Sequence, residues 1–180
     1  MLGIAENDFK NNIRGLARLL IAPEGYCWEL IDTCHTPWIL KWRNASAANG
    51  YLFERKVLTE EMQRKFLENY ENKGRLDFIL VSLKEKKPVG LFSLTNLFAQ
   101  VQLGKLIGEK EYKGKGLAKL ATSYLIKFAF EHLKISEIYA KTQKENVVNI
   151  KLNEKLGFVI IGEENLNSSE YFVMKISKGQ

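Results

Sequence analysis

Hydrophobic and polar residues follow one another in runs that predict a protein of mixed α and β structure. Three runs rich in β-branched and aromatic residues, at 76–83, 88–95 and 100–107, predict strands. The charged turn at 84–87 predicts that the first two strands form a hairpin, and the third strand continues an antiparallel meander.

The clearest helix follows this meander. Apolar residues recur there with the 3.6-residue period of a helix that faces a core. They are Leu117, Leu120, Ala121, Tyr124, Leu125, Phe128, Ala129 and Leu133. The chain then predicts a strand at 137–142, a helix capped by Asn146 that stops at Gly157, and closing strands at 158–161 and 171–176.

The first third of the chain predicts shorter elements. Segments 18–23 and 26–31 predict strands separated by a Pro-Glu-Gly turn, and a short helix begins at Thr36 and Pro37 and runs to Asn44. Thr59 caps a second helix. The apolar stripe of this second helix is predicted to be Met62, Phe66 and Tyr70. A meander followed by a strand–helix–strand crossover predicts an α+β fold, in a single domain over residues 1–180.

Composition narrows the class of protein. Apolar residues make up 46% and charged residues 27% of the chain, which excludes a disordered or collagen-like protein. No apolar run approaches the length that crosses a membrane, and segment 1–12 carries Glu6 and Asp8, unlike a secretory signal. We therefore expect a cytoplasmic protein without a membrane partner. Cys27 and Cys34 have too few soft ligands near them in sequence to predict a metal site.

A net charge of +6 and an isoelectric point near 9.2 leave the partner open. A polyanionic small ligand, a nucleic acid and a merely solvated surface all fit a mild excess of this size.

The strongest chemical signal is the loop Lys113-Gly-Lys-Gly-Leu-Ala118 between a predicted strand and the long helix. Glycines let successive backbone N–H groups point inward, and the helix adds its positive N-terminal end, which suits a pyrophosphate. The loop lacks the third glycine of a dinucleotide fingerprint, because Lys119 stands there, and no Gly-Lys-Ser/Thr triplet makes it a P-loop. An ordinary turn with solvated lysines is the alternative.

A second signal is the segment from Asn146 to Phe158. Asn146, Asn149 and Asn153 share one helix face, where their amides could bind an amide-rich ligand such as a pantetheine arm. The opposite face, with Val148, Leu152 and Leu156, is predicted to point to the core. Polar surface residues are the alternative interpretation of the asparagines.

The two motifs, in this order and about thirty residues apart, resemble the GNAT superfamily of acyl-CoA-dependent N-acetyltransferases. The family has a strand followed by Gln/Arg-x-x-Gly-x-Gly/Ala, which Lys113 to Ala118 matches, and an Asn-rich helix ending in Glu-Lys-Leu-Gly-Phe, which Glu154 to Phe158 matches. The run from Leu103 to Tyr112 resembles the branch that contains ribosomal-protein N-terminal and nucleotide-sugar acetyltransferases.

The resemblance implies a mixed sheet, flanked by helices, that splays open between strands 100–107 and 137–142 to receive acetyl-CoA. It implies that the pyrophosphate meets the loop, that backbone groups of Leu106 and Ile107 hold the pantetheine arm and polarise the thioester, and that Asn146 and Asn149 contact the cofactor. The loop residues concerned are Lys113, Gly114, Lys115, Gly116, Leu117 and Ala118.

Three positions depart from the family pattern. Lys113 replaces the usual Arg or Gln and keeps the charge, Asn153 replaces a tyrosine that often serves as general acid, and Gln102 replaces a carboxylate that often serves as base. Asn153 is therefore expected only to position groups. The acid and base stay open, and Glu109 and Glu111 beside the loop are expected to be surface groups.

The acceptor is predicted from the segment 39–44 and the helix that follows Thr59, which resemble acetyltransferases of amino sugars on nucleotide carriers. Arg43 could pair with a phosphate and Trp42 could stack on a ring. A buried tryptophan and a surface ion pair are the alternatives. The sequence thus predicts an N-acetyltransferase for a small primary amine, as a possible homodimer without a nucleic-acid partner. A protein N-terminus, a polyamine and, in another class, a non-enzymatic RNA-binding module are the alternatives.

Overall fold

The computed structural model describes residues 5–45, 57–166 and 169–179, and its strands form one mixed sheet. The sheet contains seven strands in the order β1-β2-β3-β4-β5-β7-β6. The strands are β1 Tyr26–Leu30, β2 Leu76–Ser82, β3 Lys87–Thr95, β4 Gln102–Ile107, β5 Glu137–Gln143, β6 Val159–Leu166 and β7 Ser169–Ser177. Neighbouring strands are antiparallel except β4 and β5, which are parallel. The predicted α+β architecture, with a meander and then a crossover, is confirmed.

The helices of the described residues are α1 Glu6–Ala17, α2 Thr36–Asn44, α3 Glu60–Glu68, α4 Leu117–Glu131 and α5 Val147–Glu154. Helix α3 begins where the sequence predicts, because the side-chain oxygen of Thr59 accepts a hydrogen bond from the backbone N–H of Met62 at 3.2 Å. Short 3₁₀ turns precede α2, follow α3 and separate β4 from the glycine loop. None of the described helices is long and apolar enough to cross a membrane.

Aromatic side chains fix the central strands and α4 to each other. Phe78 of β2 pairs with Phe92 of β3, and both are fully buried. Trp28 packs edge-on against Phe92 with 5.2 Å between ring centroids, and Phe78 packs against Phe128 of α4 at 5.9 Å. Burial of large apolar side chains of this kind is the dominant stabilising contribution to a fold. The cluster therefore holds β4 and α4, the elements that carry the predicted site, against a rigid base.

Two sequence predictions about the faces of these helices are wrong in detail. Leu120 is 48% exposed on α4, where the buried face instead includes Ile126. Met62 is 43% exposed on α3, where Gln63 is buried in its place. Residues at the edge of an apolar stripe face solvent when the neighbouring element covers only part of the stripe.

The segment 18–23 is not a strand, although its apolar content predicts one. It follows helix α1, which the sequence pattern does not predict, and it connects that helix to β1. The backbone of this segment bonds to a side chain instead of to a strand: the carbonyl of Ile21 accepts a hydrogen bond from the Trp28 indole at 3.1 Å. Leu20 is buried without belonging to any strand, so the segment is a packed connection.

Candidate active site

The sheet opens between its two parallel strands. β4 and β5 pair at one register position among the described residues, Gln102 opposite Tyr139, where the backbone N–H of Tyr139 donates to the carbonyl of Val101 at 2.8 Å. Toward Ile107 the two strands no longer pair, whereas β3 and β4 stay paired from Gln102 to Ile107. An unpaired inner edge of a sheet exposes backbone donors and acceptors that a ligand can use.

Alternation of backbone groups along β4 decides which residues face this gap. The carbonyl of Val101 points to β5, and the N–H of Gly108 points back to the carbonyl of Val89 at 2.9 Å. Because successive residues of a strand direct their backbone groups to opposite sides, Lys105 and Ile107 present theirs to the gap. Leu106 pairs with Leu91 of β3, so its backbone groups point to β3. Of the two predicted thioester contacts, Ile107 is the one that offers an N–H to the gap.

The glycine loop lies where β4 leads into α4. Gly114 has φ +73° and Gly116 has φ +77°, and a β-carbon built on either would meet no atom within 4 Å. None of the backbone N–H groups from Gly114 to Ala118 has a hydrogen-bond partner in the described chain. Exposed donors at the start of a 15-residue helix form an anion site. The residues fit a pyrophosphate, and Lys113, Lys115 and Lys119 are exposed beside it.

Helix α5 packs its asparagines against β5 and buries Ile150 in the core. Val148 is 80% exposed, so its predicted core position is wrong, and Asn153 is fully buried. The Nδ2 groups of Asn149 and Asn153 both donate to the Oγ1 of Thr142, at 3.0 and 3.2 Å. Asn146 caps the helix, since its Oδ1 accepts from the backbone N–H of Asn149 at 3.1 Å. The asparagine face is therefore the packing face of this helix.

Lys105 reaches across the gap from β4 to α5. Its Nζ donates to the Oδ1 of Asn153 at 2.5 Å, which joins the two sides of the opening. Desolvation of the ammonium lowers the pKa of Lys105 to about 7. No carboxylate of the described residues lies within ion-pair distance of it. The side chain is thus able to exchange a proton near neutral pH.

Helix α2 is anchored at the far end of β4 by a buried carboxylate. Glu109 is 7% exposed, so its predicted surface position is wrong. Its Oε1 accepts from Lys41 Nζ at 2.7 Å and from Trp42 Nε1 at 2.8 Å. Burial alone would raise the pKa of Glu109, but these two donors outweigh it and hold the pKa below its usual value. Glu109 stays ionised and paired, which makes it a poor base.

Trp42 lies under this junction, and Arg43 follows it on α2. Trp42 is 2% exposed, and a β-carbon on Gly108 would lie 2.2 Å from its ring, so the ring packs directly on the backbone that leaves β4. Arg43 is partly buried in the last turn of α2. Glu111 is exposed, as predicted, and pairs with Lys87 at 2.5 Å. The buried ring of Trp42 is not available to stack on an acceptor, so that prediction is wrong and its alternative, a buried tryptophan, is what the structure has. The predicted contact of Arg43 with an acceptor stays a prediction.

A mixed sheet that opens between two parallel strands, beside a glycine-rich helix start, defines an acyl-CoA-binding transferase. Residues 27–159 match the family model of the acetyltransferase (GNAT) domain. The chain therefore belongs to the GNAT superfamily of N-acetyltransferases.

Relatives and solved structures agree with this assignment. A probable spermine N(1)-acetyltransferase of Bacillus subtilis subsp. natto is 27% identical over 147 residues, 67% of this chain and 97% of the relative. Acetyltransferase PseH of Campylobacter jejuni is 26% identical over 126 residues, 70% of this chain and 78% of the relative. The structure of spermidine N-acetyltransferase from Vibrio cholerae with CoA and spermine superposes with a TM-score of 0.78, at 19% identity, over 87% of this chain and 97% of that one.

The protein is an acetyl-CoA-dependent N-acetyltransferase. Acetyl-CoA is its co-substrate. The alternative of a non-enzymatic RNA-binding module is wrong. No cluster of three or more metal-ligating side chains occurs in the part of the chain that the structure describes.

Sequence reasoning missed Lys105, Thr142 and the buried position of Glu109. One feature of the sequence could have predicted the inward position of Lys105. Leu103 and Ile107 are buried at the same period-two positions of β4 as Lys105, so a charged residue occupies an inward position. The partners of Glu109 lie more than sixty residues away in sequence, and no local pattern predicts them. Those of Thr142 are seven and eleven residues away but on a different element.

Proposed function

We propose that this enzyme acetylates the primary amine of an amino sugar carried by a nucleotide. The amine attacks the thioester in a ternary complex, and the N–H of Ile107 stabilises the developing oxyanion. Single backbone donors of this kind contribute about 10²–10³-fold to acyl transfer.

The charge distribution beside the gap is the observation that carries the acceptor class. The four carboxylates on β5, β6 and β7 are all paired with lysines in the described chain. They are Glu137 with Lys175, Glu163 and Glu170 with Lys144, and Glu164 with Lys141. Glu109 is held by Lys41. None of these five carboxylates is left unpaired to bind the ammonium groups of a polyamine, so the site favours an acceptor that is not a polycation.

A polyamine is the second candidate, and the names of the relatives favour it. One curated relative is a probable spermine acetyltransferase, and one solved neighbour is a spermidine acetyltransferase. A polyamine would need carboxylates to bind its ammonium groups, for instance by releasing some from their present lysine partners. A protein N-terminus stays a third possibility from the sequence.

The remaining site assignments are also proposals. The backbone from Lys113 to Ala118 binds the pyrophosphate, and Asn146 and Asn149 contact the cofactor from the other side of the gap. Ile107 holds the pantetheine arm, whereas the backbone groups of Leu106 are paired with β3. Asn153 positions groups without giving up a proton. Arg43 faces the phosphate of the acceptor, while Trp42, buried against the backbone of Gly108, supports the end of β4.

Thiol release from acetyl-CoA tests the acceptor directly. The panel contains nucleotide-linked amino sugars, the same amino sugars without the nucleotide, spermidine, spermine and a peptide with a free N-terminus. The proposal expects the highest kcat/KM with the nucleotide-linked sugars and a fall of at least tenfold when the nucleotide is removed. A higher kcat/KM with spermine would replace it by the polyamine candidate.

Arg43→Ala refines the same test. It should raise the KM for the nucleotide-linked sugar and leave the KM for acetyl-CoA and for the bare sugar unchanged, because only the first acceptor has a phosphate. Equal KM values in parent and variant would remove Arg43 from the acceptor site. A cytoplasmic location and a homodimer also stay proposals, and light scattering of the purified chain measures the second.

A further inference from the structure

Lys105 differs from the other lysines around the opening of the sheet. Its Nζ meets the amide oxygen of Asn153, a neutral group, at 2.5 Å. On the neighbouring strands, Lys141 is paired with Glu164 at 2.6 Å and Lys175 with Glu137 at 2.7 Å. A cation held by an amide in a desolvated position is unstable as a cation, which makes it an unusual choice for a purely structural lysine.

Lys105 is the group at the gap that can carry a proton, because the groups near it either do not titrate near neutral pH or are paired. Asn153, which accepts from Lys105, and Thr142, which accepts from Asn153, do not titrate near neutral pH. The charges of Lys141 and Lys175 are compensated by their carboxylates. Desolvation is the cause that lowers the pKa of Lys105 to about 7, with no contribution from a neighbouring charge.

Lys105 also stands next to the backbone that would hold the reacting group. Its own backbone and that of Ile107 face the gap from the same edge of β4, two residues apart. Under the proposed function, the thioester carbonyl lies at the N–H of Ile107, so the sulfur lies within the same opening that the Lys105 side chain crosses.

We propose that Lys105 is a catalytic residue of the acetyl transfer and donates the proton that the leaving sulfur needs. This inference rests on the proposed function of the gap as the thioester site. Lys105 then acts as the general acid, a role that Asn153 cannot fill because its amide has no acidic proton.

The step balances within the site. The C–N bond forms as the neutral acceptor amine attacks, and the C–S bond breaks with its electron pair left on sulfur. One proton passes from the ammonium of Lys105 to that sulfur and leaves a neutral amine on the lysine. The nitrogen of the new amide releases one proton, which restores the ammonium of Lys105. No oxidant, metal or further reactant takes part.

The pKa values of the two groups favour proton transfer from Lys105 to the leaving sulfur. A thiol has an ordinary pKa of about 8.5. A proton therefore moves downhill from Lys105, whose pKa is about 7, to the thiolate. General acids work best when their pKa lies near the operating pH, and they contribute about 10²–10⁴-fold.

The first test compares Lys105→Met with Lys127→Met, which removes an exposed lysine of α4 outside the site. With the best acceptor of the panel, Lys105→Met should lower kcat by about 10²–10³-fold and change the KM for acetyl-CoA by less than about twofold. Lys127→Met should match the parent. Lys105→Arg should not restore kcat, because a guanidinium keeps its charge but does not give up a proton near neutral pH.

The pH profile separates proton donation from mere positioning. In the parent, kcat should fall above pH 7 as Lys105 loses its proton, and this falling limb should be absent in Lys105→Met. A variant that keeps both the falling limb and at least a tenth of the parental kcat would overturn the proposal.

A binding measurement without acceptor keeps the two proposals distinguishable. CoA should raise the melting temperature of the parent and of Lys105→Met by a similar amount, because the backbone of β4 and the glycine loop hold the cofactor and the Lys105 side chain does not. Loss of the CoA effect in Lys105→Met alone would make Lys105 a binding residue and overturn its role as proton donor. Failure of the parent protein to bind CoA would overturn the proposed function as well.

Discussion

Replacing Lys105 by methionine should change how the stability of the protein depends on pH. Desolvation lowers the pKa of this lysine from 10.5 to about 7 in the folded state, while the unfolded chain keeps the ordinary value of about 10.4. Below pH 7 both states hold the proton, so the folded state bears the full cost of the buried cation. Above pH 7 the folded state loses its proton first, and the free energy of unfolding therefore rises with pH.

The size of the effect follows from the two pKa values. A group that titrates in the folded state alone changes stability by about 1.4 kcal/mol per pH unit once the pH is above its pKa. Between pH 7 and 9 the parent should gain about 2 kcal/mol from Lys105, which corresponds to roughly 4–8 °C in melting temperature for a chain of this length. Lys105→Met lacks the titrating group, so its stability should rise by about 2 kcal/mol less.

Urea unfolding at pH 7, 8 and 9 measures this difference, and subtraction of the variant from the parent removes the contribution of all other groups. Lys127→Met serves as the control, because the side chain of Lys127 is 66% exposed and its removal should leave the pH dependence as in the parent. If parent and Lys105→Met give parallel stability curves, the ammonium of Lys105 is hydrated in solution and the reasoning is refuted.

Three further predictions concern the site. Gly116→Val and Gly25→Val both place a side chain at φ near +80° in open space and should each lose about 1–2 kcal/mol of stability. CoA at 100 times its Kd, which should stabilise the parent by about 2.7 kcal/mol, should still stabilise Gly25→Val but not Gly116→Val in a melting assay. Asn153→Ala should lower kcat tenfold or less and destabilise the fold by about 1–3 kcal/mol, because buried polar groups lose their partner. A thousandfold loss of kcat at unchanged stability would contradict this prediction, because a loss of that size is expected for a direct proton donor. Glu109→Ala should destabilise the protein more than Glu109→Gln in urea unfolding, because the glutamine oxygen can still accept from Trp42.

The period of the apolar residues predicts the strands and the long helix well, because each period reports a face that is buried along its whole length. β2 and β3 are such elements, and their observed bounds differ from the predicted ones by a residue at an end. Short elements are less certain. In α5 the predicted apolar face includes Val148, but the helix is only eight residues long and packs on β5 through its amides.

One part of the candidate site can likewise be predicted from the sequence, and another part cannot. The glycine loop can be predicted, because its conformation depends on residues that are adjacent in sequence. The junction at Glu109 depends on Lys41 and Trp42, more than sixty residues earlier. The sequence could not predict that junction, since charge pairs between distant segments leave no period and no local motif.

Three lysines of the sheet provide an internal comparison that bears on the chemistry of the site. Lys141 and Lys175 show how this sheet accommodates a lysine whose role is structural, since each meets a carboxylate on another strand. Lys105 lies in the same sheet, at an inward position, and meets an amide instead. A carboxylate in place of Asn153 would stabilise the ammonium and raise its pKa, and the lysine would then hold its proton throughout catalysis. An amide partner orients the amine without fixing its charge, which is the property that a proton donor to a thiolate requires.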